Sequence, residues 1–361
     1  MHSTDHSQFL ISDEQFFLQA VETELAASCQ WIKELSVQSA EILIEALTES
    51  TLAGKKLRPL CLLAGYALGH DKTDEQGWKR LVKMGAALEF FQASALIHDD
   101  LIDHSLLRRG RPTTHIRGTQ VASERKYPNP SDFGVGLAIL AGDLALGTAY
   151  QLAAESFLDH PQQNAGNFAF HRMCTRVNIG QFLDLQAEAL PLDEHFTSQI
   201  PEEVISYKTA GYSVIDPVKL GALLANLSPE KCDKIADALA PWGLAFQLRD
   251  DQLGAFALAS QTGKTSGSDL LEGKRTVLLA TALSLGSDEQ KAKIQALFAQ
   301  SKRSEQDIKL IQELLTQSGA KSELEKRIAR LYSLGQEQLE SLNLPSDQLS
   351  KLGDALINRE K

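Results

Sequence analysis

The sequence predicts an all-α protein, and three observations carry that expectation. Aromatic residues make up only 6% of the chain, and β-branched runs are scarce beside Ala, Leu, Glu, Gln and Lys, a bias that favours helix. Apolar positions recur at helical spacing over long windows, with no period-2 stretch of convincing length. Helix starts are written out at Ser12-Asp13-Glu14, Pro201-Glu202-Glu203, Ser228-Pro229-Glu230 and Ser287, the last as a capping box with Gln290.

Taken in order, the first helix follows Asp13, with apolar positions at Phe16, Phe17, Ala20, Val21 and Leu25. A second covers about 42–52 and stops at Gly54. Pro59 opens a short apolar run over 60–68 that closes at Gly69, and 71–78 reads as polar connection. Helix resumes over about 79–105. Pro112, Pro128 and Pro130 forbid continuous helix across 110–132, a loop long enough to serve as a lid or flexible border. Helices then cover about 135–158 and 164–190. The helix opened by Pro201 carries Lys208 and Thr209 up to Gly211, and the one opened by Pro229 runs to about Asp250. Residues 259–275 read as Gly/Ser/Lys-rich loop, and the tail has helices starting near Ser287, Ser304 and Ser346. Without a low-complexity linker or an internal repeat beyond a doubled acidic motif, the expectation is one domain over 1–361.

Composition narrows the function. Thirty-six basic against 47 acidic residues leave a net charge of −11, which argues against nucleic acid or an anionic membrane as main partner. The four cysteines, Cys29, Cys61, Cys174 and Cys232, form no CxxC pair and read as reduced core thiols. The opening residues lack the basic start and apolar core of a signal peptide. No run approaches 18 uninterrupted apolar residues. A soluble, cytoplasmic protein is expected.

The chemistry gathers at two acidic stretches. Asp99-Asp100-x-x-Asp103 ends one apolar helix, and Asp250-Asp251 in Phe246-Gln247-Leu248-Arg249-Asp250-Asp251-Gln252-Leu253-Gly254 ends another. Asp99 and Asp103, four apart, share a helix face, where like charges cost a few tenths of a kcal/mol unless a cation offsets them. Carboxylates without Cys or His favour a hard cation such as Mg²⁺, which binds through one or two carboxylates and fills its other positions with substrate phosphate. Basic residues at turns and helix ends suit phosphate: Gly54-Lys55-Lys56-Leu57-Arg58-Pro59, Arg108-Arg109-Gly110, Lys208-Thr209, Lys264 and Lys274. There is no Walker A loop and no GxGxxG after a strand. A small diphosphate with an apolar remainder fits better than a nucleotide. Alone, each feature has a plainer reading: a solvated Asp-Asp helix end, a solvated basic turn, Phe90 and Phe91 as core, His98 as structural. Several independent motifs in one order set those readings aside.

Together these stretches resemble the trans-isoprenyl diphosphate synthase (polyprenyl synthetase) family, most closely the bacterial geranylgeranyl diphosphate synthases. Gly142-Asp143, Gly180-Gln181-x-x-Asp184-Leu185 and Asp269-Leu270-x-x-Gly273-Lys274 join the motifs above. The matches cover about 50–280, while the tail from about 287 to 361 is matched only in helical character. The resemblance implies a helical bundle of the isoprenoid synthase type with a central apolar cavity, working as a homodimer. It also implies an allylic diphosphate (dimethylallyl, geranyl or farnesyl) held through three Mg²⁺ ions, which Mn²⁺ can replace. Asp99, Asp103 and Asp250 would hold the metal with Asp100 and Asp251 in support, and Arg108, Lys208, Lys264 and Lys274 would face the same diphosphate. Isopentenyl diphosphate would lie on Lys55, Arg58, Arg109 and Gln92. Thr209, Gln247 and the Lys208 backbone would steady the allylic carbocation.

Two positions depart from the family pattern. The last aspartate of the second acidic motif is Gly254, and Gln92 replaces a frequent histidine. Glutamine can donate a hydrogen bond but carries no charge. Product length follows from the residues one and two turns before Asp99. Ser94 and Ala95 are small, which in the family implies a product longer than C15, and Phe91 would floor the tunnel at C20, geranylgeranyl diphosphate. Three alternatives stand beside this reading: a different chain length, a class I terpene cyclase, which needs no isopentenyl site, and a non-catalytic subunit of a heteromeric synthase, to which Gly254 points.

Overall fold

The computed structural model describes residues 9–256, 267–300, 302–344 and 347–357. They form two compact units. One comprises the chain up to Arg172 with Asp216–Ala236. The other comprises Met173–Ile215 and most of the chain from Asp237 onward.

In the first unit, β1 (Phe9–Leu10) pairs antiparallel with β2 (Lys72–Thr73). Helix α1 (Glu14–Leu35) starts where the Asp13 carboxylate accepts from the Phe16 amide, and it buries Phe17, Val21, Leu25, Cys29 and Ile32 along one stripe. After α2 (Glu41–Leu52) and α3 (Leu57–Tyr66), the long α4 (Glu75–Ile102) is capped by Asp74, whose carboxylate accepts from the Gly77 amide. The expected connection over 71–78 is therefore shorter, because Asp74 starts the helix a turn early. Helix α4 is the spine of this unit, packed by α1, α2 and α3.

The loop expected over 110–132 is a correction. A hairpin of β3 (Leu107–Arg108) and β4 (Arg111–Pro112) leads directly into α5 (Thr114–Glu124). Pro112 ends a strand and Pro130 opens α6 (Pro130–Ser156). The prolines lie at the element boundaries, where they are tolerated, and leave room for a helix between them. Helix α6 packs on α4 and α5. It is long and apolar enough to cross a membrane by length and composition, but Leu137, Ala138, Ala141, Ala145, Ala149 and Leu152 are buried in the protein. Farther on, α3 and α9 (Asp216–Leu224) touch through backbone: a Cβ on Gly65 would lie 2.0 Å from the Val218 carbonyl oxygen, and one on Gly221 2.0 Å from that of Leu62.

Two long helices, α7 (Gln163–Ala189) and α10 (Pro229–Phe256), contribute residues to both units. The second unit contains α8 (Gln199–Lys208), a π-helical turn over Gly211–Ile215, α11 (Ser268–Glu272), α12 (Val277–Leu285), α13 (Asp288–Phe298), α14 (Glu305–Gln317) and α15 (Ala320–Ser341), and most of α16 (Asp347–Ile357). The expected capping box at Ser287/Gln290 forms, and Ser304 makes another with Asp307. Ser346 lies outside the described residues. So do 257–266 of the expected loop, but α11 shows that 268–272 is helical rather than loop. The indole of Trp242 donates to the Tyr332 carbonyl at 3.0 Å, in a slot that Gly335 and Gly353 leave open. All four cysteines are buried and outside any disulfide, as expected, and burial pushes Cys61 up to about 12 and Cys232 up to about 11. Those two are protonated at neutral pH, and all four side chains serve as packing.

Candidate active site

Phe91, Ala95, Asp99 and Asp103 recur every fourth residue on α4, the last as its C-cap, so one stripe carries both the acidic motif and the residues expected to measure the product. The cation that offsets Asp99 and Asp100 is in the chain itself. Arg109 (φ 53°) and Gly110 (φ 74°) are the two central residues between β3 and β4. Positive φ at both makes a hairpin turn whose twist suits the strands. That turn swings Arg108 back onto α4, where its Nε donates to Asp100 Oδ1 at 2.9 Å and its Nη2 lies 3.5 Å from Asp99 Oδ2. Asp100, 5% exposed, is thereby a buried, charge-assisted partner that aims the arginine.

Beside this lies a cavity of about 570 Å³, lined by Asp100, Arg108, Arg109, Arg111 and Arg117 among others. Burial pushes the Arg109 guanidinium down, and Arg108 and Arg58 push it further, against Glu89 and Asp100. Arg108 and Arg58 thus lie close enough to Arg109 for their charges to depress it, and such a cluster of guanidinium groups suits an anion of more than one charge. Gly54 (φ 116°) permits the crowding, since a Cβ there would lie 2.7 Å from Arg109 Nη2. Lys55 is exposed on the same turn. Lys56 points inward: its ammonium donates to the carbonyls of Thr51, Leu52 and Ala53 at 3.1–3.2 Å and pairs with buried Glu89 at 3.3 Å. It closes the C-terminus of α2 and is lost to phosphate. Gln92 Oε1 is buried with no hydrogen-bond partner among the described residues.

Farther up α4, Ser94 is buried, Ala95 is half-buried, and Phe91 packs edge-on against Phe170 with ring centroids 6.2 Å apart; Phe170 in turn meets Tyr150. His98 keeps the plainer, structural reading. Its Nε2 lies 3.2 Å from the Ile139 carbonyl oxygen, in space that a side chain at Gly142 would fill.

In the second unit, Gly180 of α7 lets the chain at Lys208 approach: a Cβ at 180 would lie 2.3 Å from the Lys208 backbone nitrogen. The Lys208 ammonium then reaches the Asp184 carboxylate, one turn along α7. Thr209 ends α8 and leads into the π-helical turn, a distortion frequent at functional sites. On α10, Gln247 Nε2 donates to Asp251 Oδ1 at 2.8 Å, while Gln247 Oε1 is buried with no hydrogen-bond partner among the described residues. Burial pushes Asp251 up to about 8. The Gln247 hydrogen bond lowers it, and the charges of Asp269, Asp250 and Asp184 raise it. Lys274 pairs with Glu272 at 3.5 Å. Lys264 lies outside the described residues.

Among the described residues no three His, Cys, Asp or Glu side chains converge closely enough to hold a metal ion alone. Asp99 with Asp103, and Asp250 with its acidic neighbours, instead offer carboxylates in ones and twos. That donor set suits Mg²⁺ completed by substrate oxygens. Two side chains escaped the sequence reading, although both stood in quoted motifs. Asp184 holds the Lys208 ammonium, and the Asp269 carboxylate lies against Gly254.

An all-helical fold with such paired acidic and basic sites defines a class of diphosphate-handling enzymes. The chain belongs to the polyprenyl synthetase family, whose sequence profile matches residues 40–315. It is 32% identical over 251 residues to a geranylgeranyl diphosphate synthase of Sulfolobus acidocaldarius, covering 68% of each chain. It is 30% identical over 337 residues to an all-trans-nonaprenyl-diphosphate synthase of Rhodobacter capsulatus, covering 92% of this chain and 93% of that one. The crystal structure of a geranylgeranyl pyrophosphate synthase from Corynebacterium glutamicum, complexed with isoprenyl diphosphate and magnesium, superimposes with a TM-score of 0.86 at 33% identity. The match covers 95% of this chain and 99% of that one. The isoprenoid-synthase fold expected from the motifs is the fold of this chain.

Proposed function

We propose that the protein is a Mg²⁺-dependent prenyltransferase that joins isopentenyl diphosphate to an allylic diphosphate, head to tail and trans, with geranylgeranyl diphosphate (C20) as product. The observation that carries this reading is the Asp99–Asp103 ladder beside the Arg58–Arg108–Arg109 cluster in one unit. A terpene cyclase needs no isopentenyl site, and so has no use for Arg58 and Arg109 together with Lys55.

Asp99 and Asp103 of the first unit and Asp250 of the second would hold magnesium for the allylic diphosphate, with Asp100 and Asp251 beside them. Bound there, the metal neutralises the charge that gathers on the leaving diphosphate. The carbon–oxygen bond breaks with its electron pair leaving on the diphosphate. Arg108, Lys208 and Lys264 stabilise that charge, and Lys274 adds to them. Gln247 Oε1, buried and unsatisfied, and the Thr209 hydroxyl face the allylic cation. Isopentenyl diphosphate, held by Lys55, Arg58, Arg109 and Gln92, attacks through its double bond. The proton it then loses passes to the departing diphosphate, and the chain is five carbons longer.

Small residues at Ser94 and Ala95 with Phe91 braced on Phe170 favour C20. The exposed apolar side chains Val135, Ile139 and Leu140 on α6 favour a homodimer. A cytoplasmic location accords with the reduced cysteines. The test is incubation of the purified chain with Mg²⁺, isopentenyl diphosphate and C5, C10 or C15 primer, followed by sizing of the products. Elongation to C20 that EDTA abolishes is expected. Cyclised hydrocarbon without isopentenyl incorporation means a cyclase, and activity only on mixing with a homologue means a regulatory subunit.

A further inference from the structure

Helix α15 carries none of the motifs that distinguish the sequence, yet its side chains reach two elements of the second unit that bear charged groups of the site. Glu325 meets α10. Its carboxylate accepts from Arg249 Nη1 at 2.8 Å and from Arg249 Nη2 at 2.9 Å, and the Gln252 amide donates to Glu325 Oε1 at 2.7 Å. Arg249 and Gln252 flank Asp250 and Asp251 in the chain. Arg327 meets α8. Its Nη1 donates to Glu202 Oε1 at 2.9 Å, and its Nη2 lies 2.9 Å from Glu202 Oε2, in the first turn of the helix that ends at Lys208.

Both contacts are two-point arginine–carboxylate forks, which fix a separation and an orientation as well as a charge. Residues 325 and 327 are two apart, so they leave α15 on nearly opposite sides. The helix is seated without them. Leu324 and Ile328 are buried, the Lys321 ammonium lies 4.4 Å from the centre of the Phe256 ring, and Gly335 makes room for Trp242, whose indole donates to the Tyr332 carbonyl. The forks themselves are partly exposed, with Glu325 at 45% and Arg327 at 31%. Pairs so accessible add little to stability, so their contribution is geometric.

We propose that α15 sets the distance between the Lys208 ammonium and the Asp250–Asp251 carboxylates, with Glu325 and Arg327 as positioning residues that act through Arg249 and Glu202. This rests on the reading that those groups serve one diphosphate. It gives the tail of the chain a part in the site, although neither residue touches substrate.

Titration calorimetry of the full-length protein with inorganic pyrophosphate and Mg²⁺ tests it, beside kinetics with isopentenyl diphosphate and a C15 primer. Glu325→Ala and Arg327→Gln should each weaken pyrophosphate binding and lower kcat about tenfold. The KM for isopentenyl diphosphate should stay as in wild type, and Tm should fall by no more than about 4 °C. Arg327→Lys keeps the charge but loses the fork, and should weaken binding nearly as much as Arg327→Gln. Glu202→Arg with Arg327→Glu should return affinity to within about threefold of wild type. A role in stability alone would lower Tm and leave pyrophosphate affinity, measured well below it, at the wild-type value; that result overturns the proposal. If the larger changes fail to fold, Arg327→Lys still decides. Wild-type protein that binds pyrophosphate without elongating a primer would sink the prenyltransferase reading instead, while the affinity series still tests the positioning role. No pyrophosphate binding by the wild type overturns both.

Discussion

The Lys208 ammonium rests on the Asp184 carboxylate because Gly180, one turn earlier on α7, has no side chain to hold the end of α8 away. Three residues that read as separate motif fragments are thus one device for aiming a cation. Lys208→Ala should lower kcat by about 10²–10³ with the fold intact, the usual loss when one charge-stabilising donor is removed. Isopentenyl incorporation with a far-UV CD control measures it. A loss confined to KM would move Lys208 out of the leaving-group role.

Product length should respond to the α4 stripe. Ser94→Phe or Ala95→Phe should shorten the product below C20, and Phe91→Ala should lengthen it, read by sizing products from one primer. Emptying the Phe91 site also costs about 3–5 kcal/mol of stability, so the products are compared well below the variant's Tm. An unchanged distribution in all three variants would remove the tunnel assignment.

Lys56 and Glu89 are 3% and 4% exposed. Removing one partner of a buried pair leaves the other charge uncompensated, so Lys56→Met should destabilise by about 3–5 kcal/mol, measured by urea unfolding. Glu89→Gln added to it should recover part of that loss. Kinetic constants measured below the unfolding transition should scarcely move, since Lys56 faces the end of α2 rather than substrate.

Stability should fall on the acid side. Arg249 holds Glu325 through two hydrogen bonds at 2.8 and 2.9 Å, Arg327 holds Glu202, and Lys83 holds Glu155. In each case hydrogen bonding to the cation pulls the carboxyl below its ordinary value of 4.5. A depressed carboxyl contributes stability above its unfolded value and loses it as pH drops through the folded one. The contribution of these three pairs to Tm should therefore be level from pH 7 to 5 and decline below about 4.5, superimposed on the opposite slope that Asp251, pushed up to about 8, adds between about pH 8 and 4. Glu325→Gln should flatten that decline, with no more than about 1 kcal/mol at stake for so accessible a pair. A decline unaltered in Glu325→Gln would assign it elsewhere.

The sequence alone determined the helical class, the Ser287 cap, the reduced cysteines and the two acidic stretches, because propensity, caps and periodicity act within a few residues along the chain. It also placed Asp99 and Asp103 on one helix face, which needs only 3.6 residues per turn. Tertiary structure decided which cation meets which carboxylate. Lys55 and Lys56 are neighbours in sequence, yet one is exposed and the other is spent on α2. Helix α5 was hidden by prolines that turned out to flank it. Asp269 stands over Gly254 across fifteen residues of chain, and nothing local encodes that distance. Close approach depends on how helices pack, and only the folded chain shows it.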